Sequence, residues 1–192
     1  TKGLSEDEIV MAVGVIQMVD ARAGGVTYSR DPNNPESGFI ITNAVWGLGT
    51  TVVDGTASPD CYTFSRKTGE VFSKKVETKQ SMFVCIPEGD IKEVEVPSDL
   101  KNAPCLSDGQ IKSLSEAAVI LEDLYGKPQD IEWAVGGDGR IYILQSRPLR
   151  TFAAHLPSVP THVEGYRIIL DKGVIACKGI GSGKAYVLKY DA

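Results

Sequence analysis

Little in this sequence points to a membrane, to export or to a disulfide scaffold. No apolar run among its 192 residues approaches the roughly 20 needed to cross a bilayer. No basic-then-apolar segment opens the chain, so the expected setting is cytoplasmic, with no membrane partner. The four cysteines (Cys61, Cys85, Cys105 and Cys177) are scattered and include no CxxC pair. That is the pattern of reduced thiols rather than of a disulfide framework. The two histidines, His155 and His162, have no paired cysteine at finger spacing, which argues against structural zinc. A net charge of −5 gives no footprint for non-specific nucleic-acid binding. A P-loop is also missing. In GIGSGK the pattern would need glycine where Lys178 stands and Ser or Thr where Ala185 stands, and Lys184 breaks a GxGxxG reading.

What is present, at 42% hydrophobic residues, is enough for one substantial domain or for one domain with an appendage. Residues 11–19, MAVGVIQMV, form a continuous apolar run and predict a strand buried on both faces. DARAGG (20–25) predicts a turn, VTYSRDP (26–32) a strand ending at Pro32, and FIITNAVW (39–46) another strand. DCYTFSRKTGEVFSKKVET alternates around KTGE and predicts a hairpin, and IKEVEVP (91–97) alternates as well. The clearest helix is SDGQIKSLSEAAVILEDLYG. Ser107 caps it, Gln110 holds the capping-box position and Gly126 ends it. Ile111, Leu114, Ala118, Leu121 and Tyr125 recur at helical spacing and are expected to face a core. KPQD reads as a short loop. Residues 151–164 carry Pro157 and Pro160 without periodicity and read as a linker holding both histidines. Residues 165–192 read as short strands with glycine turns. An opening Thr1 that leads almost at once into an apolar strand suggests a piece of a longer chain.

DIEWAVGGDGRIYILQSRP (130–148) carries the chemistry. DIEWAV and RIYILQSR flank a GGDG turn. A symmetric pairing with a two- or four-residue loop sets Val135 opposite Arg140, Glu132 opposite Ile143 and Asp130 opposite Gln145. One face then carries Asp130, Glu132, Ala134, Ile141, Ile143, Gln145 and Arg147. The other carries Ile131, Trp133, Val135, Tyr142, Leu144 and Ser146. Magnesium takes one or two carboxylates plus phosphate and water oxygens. Glu132 and the Gln145 amide oxygen could serve as ligands, and Arg147 as a phosphate clamp. A half-solvated hairpin with its polar residues in water yields the same pattern, and a one-residue slip would separate these groups. Elsewhere, Arg30 and Asp31 could face the same cleft or cap a turn, and Lys79 could be functional or lie on a solvated hairpin face.

These residues resemble the ATP-grasp nucleotide-binding domain of the phosphoenolpyruvate synthase and pyruvate phosphate dikinase family. The family's YG.P.DIEW and LQ.RP look like EDLYGKPQDIEW and YILQSRP here. Its strand ending in MV followed by GV.F(T/S).DP looks like VIQMVDARAGGVTYSRDP, and its GLGE..V.G...PD.Y looks like GLGTTVVDGTASPDCY. The matches run in order from Val13 to Pro148. The resemblance implies an α+β fold: residues 1–150 as the C-terminal ATP-grasp subdomain, mainly antiparallel sheet with flanking helices. A linker over 151–164 and the start of a swivelling phosphohistidine-type domain over 165–192 would come after it.

The resemblance further implies ATP and magnesium as cofactors. Glu132 and Gln145 would be the metal ligands, with Asp130 supporting them. Arg147 would be the catalytic contact to the triphosphate. Gln17, Met18 and Val19 would form the hinge whose backbone binds adenine. The whole enzyme would phosphorylate a histidine and then pyruvate through domains not present here, with a homodimer as one assembly. A non-catalytic nucleotide-binding module, or a relative acting on a rifampin-type antibiotic or a glucan, are the other readings. Two departures are visible: Ile16 where the family often has Gln, and Thr50 in place of the Glu of GLGE. The family's TxGGxxSH-like histidine motif has no counterpart.

Overall fold

The computed structural model describes residues 13–53, 55, 58–87 and 89–150. The expected linker, the segment 165–192, both histidines and Cys177 lie outside the described residues. Along the chain come β1 (Ala21–Tyr28), β2 (Phe39–Trp46), α1 (Thr50–Val53), β3 (Asp60–Ser65), β4 (Glu70–Lys75), β5 (Ser81–Cys85), β6 (Ile91–Glu95), α2 (Asp108–Tyr125), β7 (Gln129–Gly136) and β8 (Ile141–Pro148). Six strands form one sheet in the order β4-β3-β2-β1-β7-β8, and β5 pairs with β6 in a separate ribbon. Every ladder is antiparallel. The result is an α+β fold dominated by antiparallel sheet.

The sheet has a dry face and an open one. Ala23, Ile40, Ala44, Tyr62, Phe64, Ile131, Trp133 and Val135 point to the dry face and pack with Ile111, Leu114 and Ala118 of α2. Polar groups on this face are paired. Trp133 Nε1 donates to Thr27 Oγ1 at 2.9 Å, and the Thr27 and Thr42 hydroxyls bond at 2.9 Å. Ser107 caps α2 with a full capping box, and Gly126 ends it in the left-handed region at φ 65°. Tyr125, expected in the core, is 53% exposed. Glu122 takes the buried place instead, because three turns return it to the face of Ile111. It accepts bonds from Ser29, Arg30 and Arg66, which tie the end of β1 and the β3–β4 turn to the helix. Arg30 therefore serves the helix rather than the cleft, while Asp31 Oδ1 accepts the Asn33 N–H in a local turn.

Two expectations near the start are corrected. Residues 13–20 are not in a strand; Ile16 is 69% and Met18 61% exposed, and among the described residues no strand pairs with them. An apolar run becomes a buried strand only where neighbours cover it. Residues 21–25 of the expected turn are instead the first part of β1. Its glycines make room for close backbone approach: a Cβ on Gly25 would stand 2.0 Å from the Asn43 carbonyl oxygen, and one on Gly24 would stand 2.5 Å from the Gly49 nitrogen.

Candidate functional site

The open face is built row by row from strand register. Tyr28 of β1 pairs with Asp130 of β7, which pairs with Arg147 of β8. In the next row Val26 pairs with Glu132, which pairs with Gln145. Directly paired residues share a face, so Asp130, Glu132, Gln145 and Arg147 do converge.

They converge by a different route from the symmetric hairpin. Gly136 N–H donates to the Arg140 carbonyl at 3.0 Å and Gly139 N–H to the Gly136 carbonyl at 2.9 Å. Residues 137–139 are thus a three-residue loop, with Gly139 at φ 79°. The odd loop sets Val135 opposite Ile141, a shift of one residue. A bulge between Glu132 and Trp133 then leaves Leu144 as the extra residue and sets Glu132 opposite Gln145. The two shifts restore the face beyond the bulge. On the turn side of it, Ile141 and Ile143 join Trp133 and Val135 on the dry side, while Tyr142 moves to the open side, the reverse of expectation.

Within the cluster Arg147 Nε donates to Asp130 Oδ2 at 2.9 Å, and its Nη2 lies 3.8 Å from Glu132 Oε1. Gln145 Nε2 donates to Glu132 Oε1 at 3.1 Å. The bond to Asp130 raises the Arg147 pKa further, so its charge is permanent. Burial first, then the Asp130 carboxylate, raises the Tyr28 hydroxyl above its ordinary value, and Arg147 partly opposes this. Asp130 Oδ1 is buried with no hydrogen-bond partner. That orphaned oxygen, next to a carboxylate and an amide, is a donor set suited to a hard cation. Among the described residues no three His, Cys, Asp or Glu side chains form a cage. Magnesium would therefore need ligand oxygens to complete its shell, as it commonly does beside phosphates.

Beside the cluster lies an apolar cleft of about 510 Å³. Residues 16–19, Leu48, Gly49, Thr50, Ile91, Glu132, Ala134 and Leu144 line it. Gln17, Met18 and Val19 thus share a cavity with Glu132, although they are not in a strand. Both departures, Ile16 and Thr50, line this cavity too. The β5–β6 ribbon reaches it through Leu48, whose N–H donates to the Phe83 carbonyl at 2.8 Å. Ile91, Leu48 and Tyr28 were not singled out by sequence. Tyr28 falls in an expected strand, but only its pairing with Asp130 brings it to the cluster.

An open antiparallel sheet in an α+β fold thus carries two carboxylates, an amide and a guanidinium beside an apolar cleft. Residues 1–162 match the pyruvate phosphate dikinase AMP/ATP-binding domain, and the chain belongs to that family. It is 36% identical over 188 residues to the probable phosphoenolpyruvate synthase of Methanocaldococcus jannaschii, covering 97% of this chain and 16% of that protein. It is 38% identical over 182 residues to the probable phosphoenolpyruvate synthase of Methanothermobacter thermautotrophicus, covering 95% and 26%. It is also 34% identical over 143 residues to the prodigiosin synthesizing transferase PigC of Serratia marcescens, covering 74% and 16%. The chain thus spans between 16% and 26% of the length of these relatives. No helix among the described residues is long and apolar enough to cross a membrane.

Proposed function

We propose that this chain is the magnesium–ATP-binding part of a cytoplasmic phosphotransferase, built as the C-terminal subdomain of an ATP-grasp cleft. The apolar cavity takes adenine, with backbone groups of residues 17–19 as its hydrogen-bonding edge. Glu132 and the Gln145 amide oxygen hold magnesium, which neutralises phosphate charge when bound. Asp130 supports the cluster and keeps Arg147 in place, and Arg147 contacts the triphosphate. The observation that carries this reading is the Glu132–Gln145 row standing at the rim of the apolar cavity. Phosphoryl transfer asks a protein mainly for positioning and charge neutralisation, and these side chains supply both.

In the whole protein the reading is transfer of the ATP β-phosphoryl to a histidine and from there to pyruvate. The similarity to a prodigiosin synthesizing transferase favours a second reading of the acceptor: the same nucleotide site serving a different phosphoryl acceptor.

Calorimetric titration with ATP, with and without magnesium, tests the nucleotide site. Magnesium should strengthen binding to the wild type and have no effect on Glu132→Ala. Arg147→Ala should weaken ATP by about 1.5–3 kcal/mol, the range for a hydrogen bond to a charged group. Equal magnesium dependence in wild type and Glu132→Ala would remove the metal from this hairpin.

A further inference from the structure

A second cavity, of about 510 Å³, lies at the far end of the carboxylate row. Tyr28, Pro32, Asp130, Arg147, Leu149 and Arg150 line it. Its charged groups are two guanidiniums and one carboxylate. The carboxylate gives Oδ2 to Arg147 and keeps Oδ1 without a hydrogen-bond partner, so the lining sets two positive charges against one negative. Arg150 makes no ion pair with any described carboxylate. The Tyr28 hydroxyl lines the cavity and is committed to no other side chain among the described residues, so it is available as a donor. The wall is fixed where Leu149 N–H donates to the Pro128 carbonyl at 2.8 Å. Two guanidiniums and a phenol around a small positive cavity are donor chemistry for a tetrahedral oxyanion.

The position of the cavity matters as much as its charge. Glu132 lines the apolar cleft and Asp130 lines this cavity. The two residues are one side-chain repeat apart on β7, about 7 Å. A ligand whose apolar end fills the first cleft and which crosses the Glu132–Gln145 row presents its distal end here.

We infer that Tyr28 and Arg150 complete, together with Arg147, a subsite for a tetrahedral oxyanion: either the terminal phosphoryl of a bound nucleotide or a free phosphate. The first source rests on the nucleotide reading above; the second rests on the cavity alone. Tyr28→Phe and Arg150→Ala are compared with the wild-type chain by calorimetry, using AMP, ADP, ATP and inorganic phosphate. Both changes remove groups that carry none of the fold's buried bonds, and AMP affinity should stay within about twofold of wild type.

If the oxyanion is the nucleotide's own, the preference for ATP over ADP falls about tenfold in Arg150→Ala and about threefold in Tyr28→Phe. If it is free phosphate, inorganic phosphate binds the wild type and its affinity falls by those factors instead. Wild-type ATP preference and wild-type phosphate affinity in both variants would overturn the subsite. Should no adenine nucleotide bind the wild type, the nucleotide reading fails separately and phosphate alone decides. Binding that is lost in Arg150→Ala supports the subsite, and no phosphate binding overturns it.

Discussion

Asp60 and Lys79 show how one residue pair can hold distant segments. Their side chains are 0% and 3% exposed, and Lys79 Nζ lies 2.5 Å from Asp60 Oδ1. Asp60 also accepts from the Glu77 N–H, the Cys105 N–H and the Tyr62 hydroxyl, so it ties β3 to two loops. Lys79 is thus a buried structural cation rather than part of a solvated hairpin face. Removing one partner leaves the other charge buried and alone, so Lys79→Ala should cost about 3–5 kcal/mol in denaturant unfolding. Burial alone would raise the Asp60 carboxyl; the Lys79 ammonium and the surrounding donors outweigh it and hold its pKa below the usual value. The stability this carboxylate contributes is therefore present above its unfolded pKa of about 4, and is lost as pH falls through the lower folded value. Glu122, also held low against its burial by Ser29, Arg30 and Arg66, acts in the same direction. Melting temperature should fall steeply below about pH 4. Asp60→Asn should be less stable at pH 7 yet show a shallower acid limb. An acid limb identical to wild type would show that Asp60 does not drive the acid transition.

At the scale of elements, β1 depends on having almost no side chains at its centre. Gly25 lies between β2 and β7, and a Cβ there would meet both the Asn43 carbonyl and, at 2.9 Å, the Trp133 ring. Backbone cannot step aside as a flexible side chain can. Gly25→Ala should therefore destabilise the fold by about 3 kcal/mol, measured by urea unfolding. A loss under about 1 kcal/mol would mean that the three strands can part at little cost. The same glycines explain what sequence could and could not reveal. β2, the β3–β4 hairpin, β6 and α2 with both caps were legible because each announces itself locally, by alternation, a turn or a capping box. Only the end of β1, from Val26, was; its first part was not, because Gly24 and Gly25 look like turn residues until Asn43, Gly49 and Trp133 are seen against them. β5 was overlooked; its pairing with β6 is what makes SMFVC a strand. The carboxylate pair was legible by residue type, but its register was not. An odd loop and a bulge each shift the pairing by one, and neither is written in the alternation of apolar and polar residues.

Across the whole molecule, the apolar cleft is assembled from segments that are far apart in sequence: residues 16–19, the turn at 48–50, Ile91 of β6, Glu132 and Ala134 of β7, and Leu144 of β8. Of these, β7 is part of the packed core, whereas residues 16–18 are exposed and in no regular element. A ligand in the cleft must therefore bridge a firm wall and a loosely held one. Binding to the folded state alone stabilises it by mass action, about 2.7 kcal/mol at a ligand concentration one hundred times Kd. Part of that gain should appear locally, as slower amide exchange at residues 16–19 and at Ile91, while Ile131 and Trp133 are already slow without ligand. AMP should suffice for this protection, because on the proposed reading the base and not the phosphates occupies the cleft. Protection that requires ATP, with AMP leaving residues 16–19 at their free rates, would place the base elsewhere and leave the cleft to another part of the ligand. Protection of residues 16–19 by AMP that persists in Glu132→Ala would separate the two halves of the site: an apolar cleft that holds the base, and a metal row that acts only on the phosphates.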